Sequence, residues 1–307
     1  MINIYLPVAH TSINLVIMLC IGTGIGMLSG LFGVGGGFLI TPVLMMFGIP
    51  PTIAAASGAN QMVAASTSAT LTHWKLGNVD MKMGLYLLIG SFLGGGLGVQ
   101  AVKILNAMGN VDFVIKLTYV LLPFTVGGLM LGETLKRKDP NKSSGPGYKQ
   151  SLFSKMMSLL PFQMEFEKSG VRHSAILPVI IGILVGVLAA IMGVGGGFIM
   201  VPIMLYILKM PMKVIIGTSV FQILFTVIEV TFLQSYTNHT VDFVLALVML
   251  IGSSVGAYVG TMLSEKLNTE QLKVLLALLI LSVGFKILFE LMAKPSLLLA
   301  YAITGGK

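Results

Sequence analysis

Apolar residues run almost unbroken through eight long stretches of the chain, near 12–31, 53–72, 83–104, 113–132, 174–192, 214–235, 243–263 and 270–292. A helix needs roughly 20 apolar residues to cross the hydrocarbon core of a bilayer, so each stretch predicts a membrane span. Two shorter apolar pieces, 38–48 and 198–208, each follow a run of glycines. They rise about 16 Å as helix, roughly half the core, and predict half-helices or re-entrant segments. The one long polar stretch, 133–173, contains KRKDPNKSSGPGYK and EFEKSGVRH and reads as a linker. Within it, Phe153 to Phe162 suggest a short amphipathic surface helix.

The pattern occurs twice. At an offset of 160, GVGGGF at 33–38 coincides with GVGGGF at 193–198, and Pro42 with Pro202. One residue of slippage pairs Pro50 with Pro211 and Gln61 with Gln222. One more pairs Val79 and Asp80 with Val241 and Asp242, and Gly90, Ser91, Gly94 and Gly98 with Gly252, Ser253, Gly256 and Gly260. An ordered series of unusual residues at a nearly constant offset is the mark of duplication. The organisation expected is a first transmembrane repeat over 1–132, a basic cytoplasmic linker over 133–173 and a second transmembrane repeat over 174–307.

Charge sets the orientation. No Lys or Arg precedes Lys75, which favours an external N-terminus. Lys136, Arg137, Lys138, Lys142, Lys149, Lys155, Lys168 and Arg172 place the linker inside. An odd number of crossings must separate the two, met by three full spans with a re-entrant pair or by five crossings with one short. Lys75 and Lys82 then fall inside. The equivalent segment of the second half, SYTNHTVDF, carries no Lys or Arg and falls outside. The halves are therefore expected to be inverted repeats, each with three to four spans and a Gly-rich broken or re-entrant helix pair.

Composition agrees: 55% of the 307 residues are hydrophobic and only 10% charged, with a mean hydropathy of +0.95. Soluble domains carry about 25% charged residues, so the fold class expected is an all-α polytopic membrane protein, multi-pass in the inner or plasma membrane. The first apolar segment has no basic flank and is read as a retained span rather than a cleaved signal. The net charge of +8 reflects basic residues gathered on the cytoplasmic side, not a nucleic-acid partner. Cys20, the single cysteine, can staple nothing. His10, His173 and His239 have no partner spacing, so neither a metal nor another cofactor is expected. No nucleophile–base pair, HExxH or phosphate-binding motif argues for an enzyme.

Three adjacent glycines give up much backbone freedom on ordering. Gly35, Gly36, Gly37, Gly195, Gly196 and Gly197 are read as deliberate helix breaks that leave uncapped N–H donors at the positive end of a helix dipole, facing a small anionic substrate. The alternative is close helix packing, which is the reading for Gly94, Gly98, Gly256 and Gly260 at their four-residue spacing. Ser219, Gln222, Thr226 and Glu229 share one helix face. A carboxylate inside a span is costly unless paired, hydrated or protonated, which makes Glu229 the candidate for proton coupling. Ser57, Asn60, Gln61, Ser68 and Thr72 occupy the matching segment, with Ser68 in the place of Glu229. Asn60, Gln61, Ser219 and Gln222 are the substrate-binding candidates. His73 either carries protons or is a solvated interfacial residue, and Trp74 is an interfacial anchor. Lys209 and Lys213 are cytoplasmic-side charges or an anion attractor. Asp80, Asp112 and Asp242 read as N-caps.

The segments GLFGVGGGFLITPVL and PPTIAAASGANQM, with AAIMGVGGGFIMVPIML and PMKVIIGTSVFQ, resemble the TauE/SafE sulfite-exporter family, also called the toluene-sulfonate uptake permease family. The resemblance implies a multi-pass protein of two duplicated four-helix halves. It also implies transport of sulfite, sulfoacetate, other sulfonates or related organic anions, often coupled to protons. The expected partners are thus a small anion, the lipid bilayer and a co- or counter-transported proton, with homo-oligomer formation left open. The expected activity is secondary transport by alternating access, with an uncoupled channel-like facilitator as the alternative.

Overall fold

The structure, a computed structural model, describes residues 3–6, 11–136, 161–238 and 243–293. Ten helices follow one another among these residues: α1 (Leu15–Phe32), α2 (Gly37–Met46), α3 (Pro51–Lys75), α4 (Met81–Ala107), α5 (Val111–Lys136), α6 (Ile176–Met192), α7 (Gly197–Tyr206), α8 (Met212–Asn238), α9 (Phe243–Ser264) and α10 (Thr269–Ala293). The protein is an all-α polytopic membrane protein in which α1, α4, α5, α8, α9 and α10 are long and apolar enough to cross a bilayer. Their outer faces carry exposed Leu97, Leu129, Phe232, Val255 and Phe289. Lipid solvates such a surface at no cost, whereas water would drive it to aggregate.

Of the eight predicted spans, two fall outside those six. Helix α6 has only 17 residues. Helix α3 is 25 residues long but polar along much of its length, with Ser57, Gln61, Ser66, Thr70 and His73 buried. It packs against α8, α9 and α2 inside the bundle, so its apolarity is not set by lipid. The two short helices, α2 and α7, have ten residues each, about 15 Å, too short to cross alone.

Two pairs of parallel helices hold the bundle together. Gly22, Gly26 and Gly30 of α1 abut the backbone of Met249, Ser253 and Ala257 of α9, while Gly252, Gly256 and Gly260 abut Leu19, Thr23 and Met27 in return. Gly90, Gly94 and Gly98 of α4 meet Val179, Ile183 and Val187 of α6 in the same register, and Gly182 and Gly186 answer them from α6. Small residues every fourth position let the backbones approach, which is how helices associate where no hydrophobic effect separates them from lipid.

Both ends of α3 are placed by polar contacts. At its start, Thr52 Oγ1 donates to Asp112 Oδ1 of α5 at 2.5 Å. Asp112 is therefore a first-turn residue and not the predicted N-cap, because the Asn110 carbonyl already accepts from Val114 N–H. At its end, the 76–80 loop meets the start of α8 and the end of α9: a Cβ on Gly217 would lie 2.3 Å from the Asn78 carbonyl, and Asn78 Nδ2 donates to Glu265 at 2.7 Å. Helices α3 and α8 thus run in opposite directions.

The same face carries a hairpin that the polar pattern did not predict, β3 (Gln163–Phe166) paired antiparallel with β4 (Val171–Ser174); a second hairpin, β1 (Asn3–Leu6) with β2 (Thr11–Asn14), precedes α1. Residues 153–160 of the proposed surface helix, and Asp242, His10 and His239, lie outside the described residues. Asp80 is the N-cap of α4, accepting from Met83 N–H at 3.0 Å, and it also anchors the hairpin. Ser169 donates to Asp80 Oδ2 from its N–H at 3.1 Å and from its hydroxyl. Asp80→Ala removes a cap and leaves buried donors unmet, so it is expected to cost about 2–4 kcal/mol. Thermal unfolding in detergent reads the loss, and proteolysis is expected to move to 161–174.

Candidate functional site

Helix α1 ends at Gly33 and α6 at Gly193, both left-handed with φ of +70° and +66°. Gly35, Gly36, Gly195 and Gly196 are also left-handed, at φ +77°, +76°, +63° and +74°. This is a conformation that costs a side-chain-bearing residue roughly 1–2 kcal/mol. Two buried turns result, and α2 and α7 start from them at Gly37 and Gly197. The residue before each, Gly36 or Gly196, has no side chain to cap the helix. The first N–H groups of a helix have no intrahelical acceptor, so each start is a buried positive dipole end.

The two turns meet. A Cβ on Gly37 would lie 3.0 Å from the Gly193 carbonyl and from Val194 Cα, and one on Gly197 would lie 2.2 Å from the Val34 carbonyl. Phe38 and Phe198, one residue further on, stack with centroids 5.2 Å apart. Into the junction reach Met62 from α3 and Ile223 from α8, with Val227 of α8 beside Gly195. Met62 Cε lies 2.4 Å from the Cβ position of Gly35 and 2.7 Å from that of Gly195; Ile223 Cγ2 lies 2.9 and 2.8 Å from the same two positions. Gly36 and Gly196 face the other way, onto Ile25 and Ser29 of α1 and onto Val185 of α6.

The polar candidates divide by what they hold. Gln61, next to Met62, is fully buried and neither amide atom has a hydrogen-bond partner. Gln222, next to Ile223, donates from Nε2 to Ser91 Oγ at 2.9 Å and Thr226 Oγ1 at 2.8 Å, leaving Oε1 without a partner. An unpaired buried amide costs on the order of 1–3 kcal/mol, so these atoms are the ones free to bind a polar ligand or water. Ser219 is committed to the turn itself, its hydroxyl donating to the Gly33 carbonyl at 2.7 Å. Tyr119 of α5 does the same for the Met192 carbonyl at 3.0 Å. The side chain of Asn60 lies outside the described residues.

The Glu229 carboxylate rests on α4, where the absence of a side chain at Gly95 makes room: a Cβ there would lie 2.8 Å from Oε2. Oε2 is buried and has no partner. His73 is buried rather than interfacial, 1% exposed, beside the Gly30 backbone and within the field of Glu265. Neither ring nitrogen reaches hydrogen-bond geometry. Trp74, by contrast, is half exposed. Lys213 pairs with Glu265 at 2.7 Å on the face of the 76–80 loop. Burial would raise the Glu265 carboxyl, but hydrogen bonds from Lys213 and Asn78 and the Lys213 charge outweigh it and hold the group below the ordinary carboxylate range.

On that face a cavity of about 250 Å³ is lined by Trp74, Val79, Asp80, Met81, Lys82, Glu167 and Lys168. Its two lysines are matched by two carboxylates, so it does not attract anions. Among the described residues no cluster of His, Cys, Asp and Glu could hold a metal. Sequence reasoning missed Met62 and Ile223, whose apolar side chains look like ordinary core, and Ser66 and Thr70, which lie on a different face of α3 from the stripe it singled out. The four-residue spacing of Met62, Ser66 and Thr70 was the available signal.

A family profile described as "Sulfite exporter TauE/SafE" matches residues 18–287. The chain is 25% identical over 280 residues to "Probable membrane transporter protein YjnA" of Bacillus subtilis (strain 168), covering 90% of this chain and 100% of that one. It is 26% identical over 287 residues to "Probable membrane transporter protein YunE" of the same organism, covering 90% and 98%. A shorter match, 31% over 106 residues, joins 34% of this chain to 22% of "Sulfite exporter TauE/SafE family protein 5" of Arabidopsis thaliana. No solved structure matches significantly. With both glycine turns and nearly every helix inside the matched region, the chain belongs to the TauE/SafE family of membrane transporters.

Proposed function

We propose that the protein is a secondary transporter of a small sulfur-containing or organic anion, such as sulfite, sulfoacetate or another sulfonate, coupled to protons and working by alternating access in the cell membrane. The observation that carries this reading is the pair of uncapped helix starts, at Gly37 and Gly197, buried against each other; the unpartnered amide of Gln61 lies one residue along α3 from Met62, which packs on them. Two dipole ends and neutral amide donors stabilise an anion without a fixed positive charge, which keeps binding reversible. Gly35, Gly36, Gly37, Gly195, Gly196 and Gly197 supply the turns. Asn60, Gln61 and Gln222 supply side-chain donors, and Ser219 holds the first turn in shape. Glu229 and His73 are the proton-handling groups. The antiparallel course of α3 and α8, and the answering pairs α1–α9 and α4–α6, support reading residues 1–132 and 174–307 as inverted repeats joined through 133–173. Alternating access then exchanges the roles of the two halves.

The test is flux in proteoliposomes against a panel of sulfite, thiosulfate, sulfoacetate and aromatic sulfonates, with and without a pH gradient. Accumulation of at least one anion, raised by the gradient and reduced at least tenfold by Gln61→Ala, is the expected result. No flux for any of them would overturn the reading.

A further inference from the structure

Met62, Ser66, Thr70 and His73 follow one another on α3 at intervals of four, four and three, which is one face of a helix. All four are buried. Ser66 Oγ, Thr70 Oγ1 and both ring nitrogens of His73 have no hydrogen-bond partner. On the same helix, Thr67 and Thr72 behave as hydroxyls in spans usually do and donate back to the carbonyls of Val63 and Ser68. Ser66 and Thr70 do not. Ser29 Oγ of α1, packed against Gly36, is buried and unpartnered as well. A line of unmet polar atoms at this depth calls for water or a passing polar solute. It begins at His73, two residues from Lys75 at the end of α3, and extends about 16 Å to Met62, which fills the junction of the glycine turns.

The aligned positions of α8 are Ile223, Val227, Thr231 and Gln234. Two of these are apolar, Gln234 Nε2 donates to the Ala190 carbonyl at 3.1 Å, and Thr231 Oγ1 is a single unpartnered hydroxyl rather than one of a run. The second half therefore offers no comparable line, and access is one-sided in this arrangement. We propose that Ser66, Thr70 and His73 line a hydrated access path from the Lys75 face to the glycine turns, and that the Met62 side chain is the movable plug closing its inner end. Met suits the part: it is unbranched and flexible, and it can withdraw without backbone movement. The proposal rests on the transporter reading for its purpose but not for its test.

Cys20 is the only cysteine, so Cys20→Ser provides a thiol-free background. In it, Ser66→Cys and Thr70→Cys are treated with a negatively charged methanethiosulfonate applied separately to each side of oriented vesicles. Both are expected to react at least tenfold faster from the Lys75 side than Leu97→Cys, which is exposed on the outer surface of α4. Ile223→Cys, behind the plug, is expected to react at least tenfold faster once Met62→Ala is added, and not with Met62→Leu, which keeps the bulk. If Met62→Ala fails to give folded protein, Met62→Val takes its place. Reaction of Ser66→Cys and Thr70→Cys no faster than the Leu97→Cys control overturns the path, and an unchanged rate at Ile223→Cys overturns the plug. No transported substrate is needed, so an inactive anion panel would leave this result standing.

Discussion

Gly193→Ala is expected to remove folded protein from the membrane. Gly193 closes α6 at φ +66°, and a Cβ there would lie 2.0 Å from the Ala55 carbonyl and 2.6 Å from Ala55 Cα. Both contacts are to the backbone of α3, which cannot rotate away as a flexible side chain can. Left-handed strain adds about 1–2 kcal/mol, and overpacking of a close-packed site about 1–3 more. The sum, about 2–5 kcal/mol, is a large share of the stability of a typical domain. Gly24→Ala and Gly128→Ala are the controls: each is helical with nothing within 4 Å of the added carbon. Replacing Gly by Ala in a helix gains roughly 0.5–1 kcal/mol. Thermal unfolding followed by size-exclusion chromatography therefore separates the variants in opposite directions. A Gly193→Ala protein as stable as the parent would mean that α3 and α6 do not approach as described.

Glu229→Gln is expected to abolish gradient-driven accumulation, by tenfold or more, while leaving the fold intact. Among the described residues no cation pairs with the carboxylate, and its buried Oε2 has no hydrogen-bond partner, so no ion pair is lost when it becomes an amide. Stability is expected to stay within about 1 kcal/mol of the parent, as for other substitutions that break no packing or hydrogen bond. An unpartnered acid in this position can take up and release a proton as its surroundings alternate between wet and dry; an amide cannot. Downhill exchange of the anion should persist, because the glycine turns and Gln61 are untouched. Accumulation that survives the substitution assigns the proton elsewhere, with His73 the next group to test. Downhill flux with no gradient dependence even in the parent identifies an uncoupled facilitator.

Helix positions were legible because the requirement is local: in lipid a segment must satisfy its own backbone hydrogen bonds, so length and apolarity suffice to mark a span. The helix breaks were legible for the same reason, since three glycines followed by an apolar piece of half the needed length allow few other structures. The spacing of Gly94, Gly98, Gly256 and Gly260 announced close helix contacts, although not which helices would meet. Helix α3 was harder to classify, because its polarity reflects burial within protein rather than contact with lipid. The hairpin at 163–174 is hidden within a linker-like stretch because four-residue strands leave no periodicity to detect, and Ser169 gives no hint of the distant Asp80 to which it binds.

The chain's pattern of apolar runs and glycines determined by itself that this is a helical membrane protein whose helices break at two GVGGGF runs. Those features depend on neighbours within a few residues. Only the tertiary structure decided that the two glycine turns pack against each other, and that Met62 and Ile223, rather than any polar residue, fill the space between them. It also showed that Ser219 and Tyr119 serve helix-end carbonyls while Gln61 is left without a partner. Whether a buried polar atom is satisfied depends on groups brought in from distant parts of the chain, often more than a hundred residues away. No local pattern carries that information.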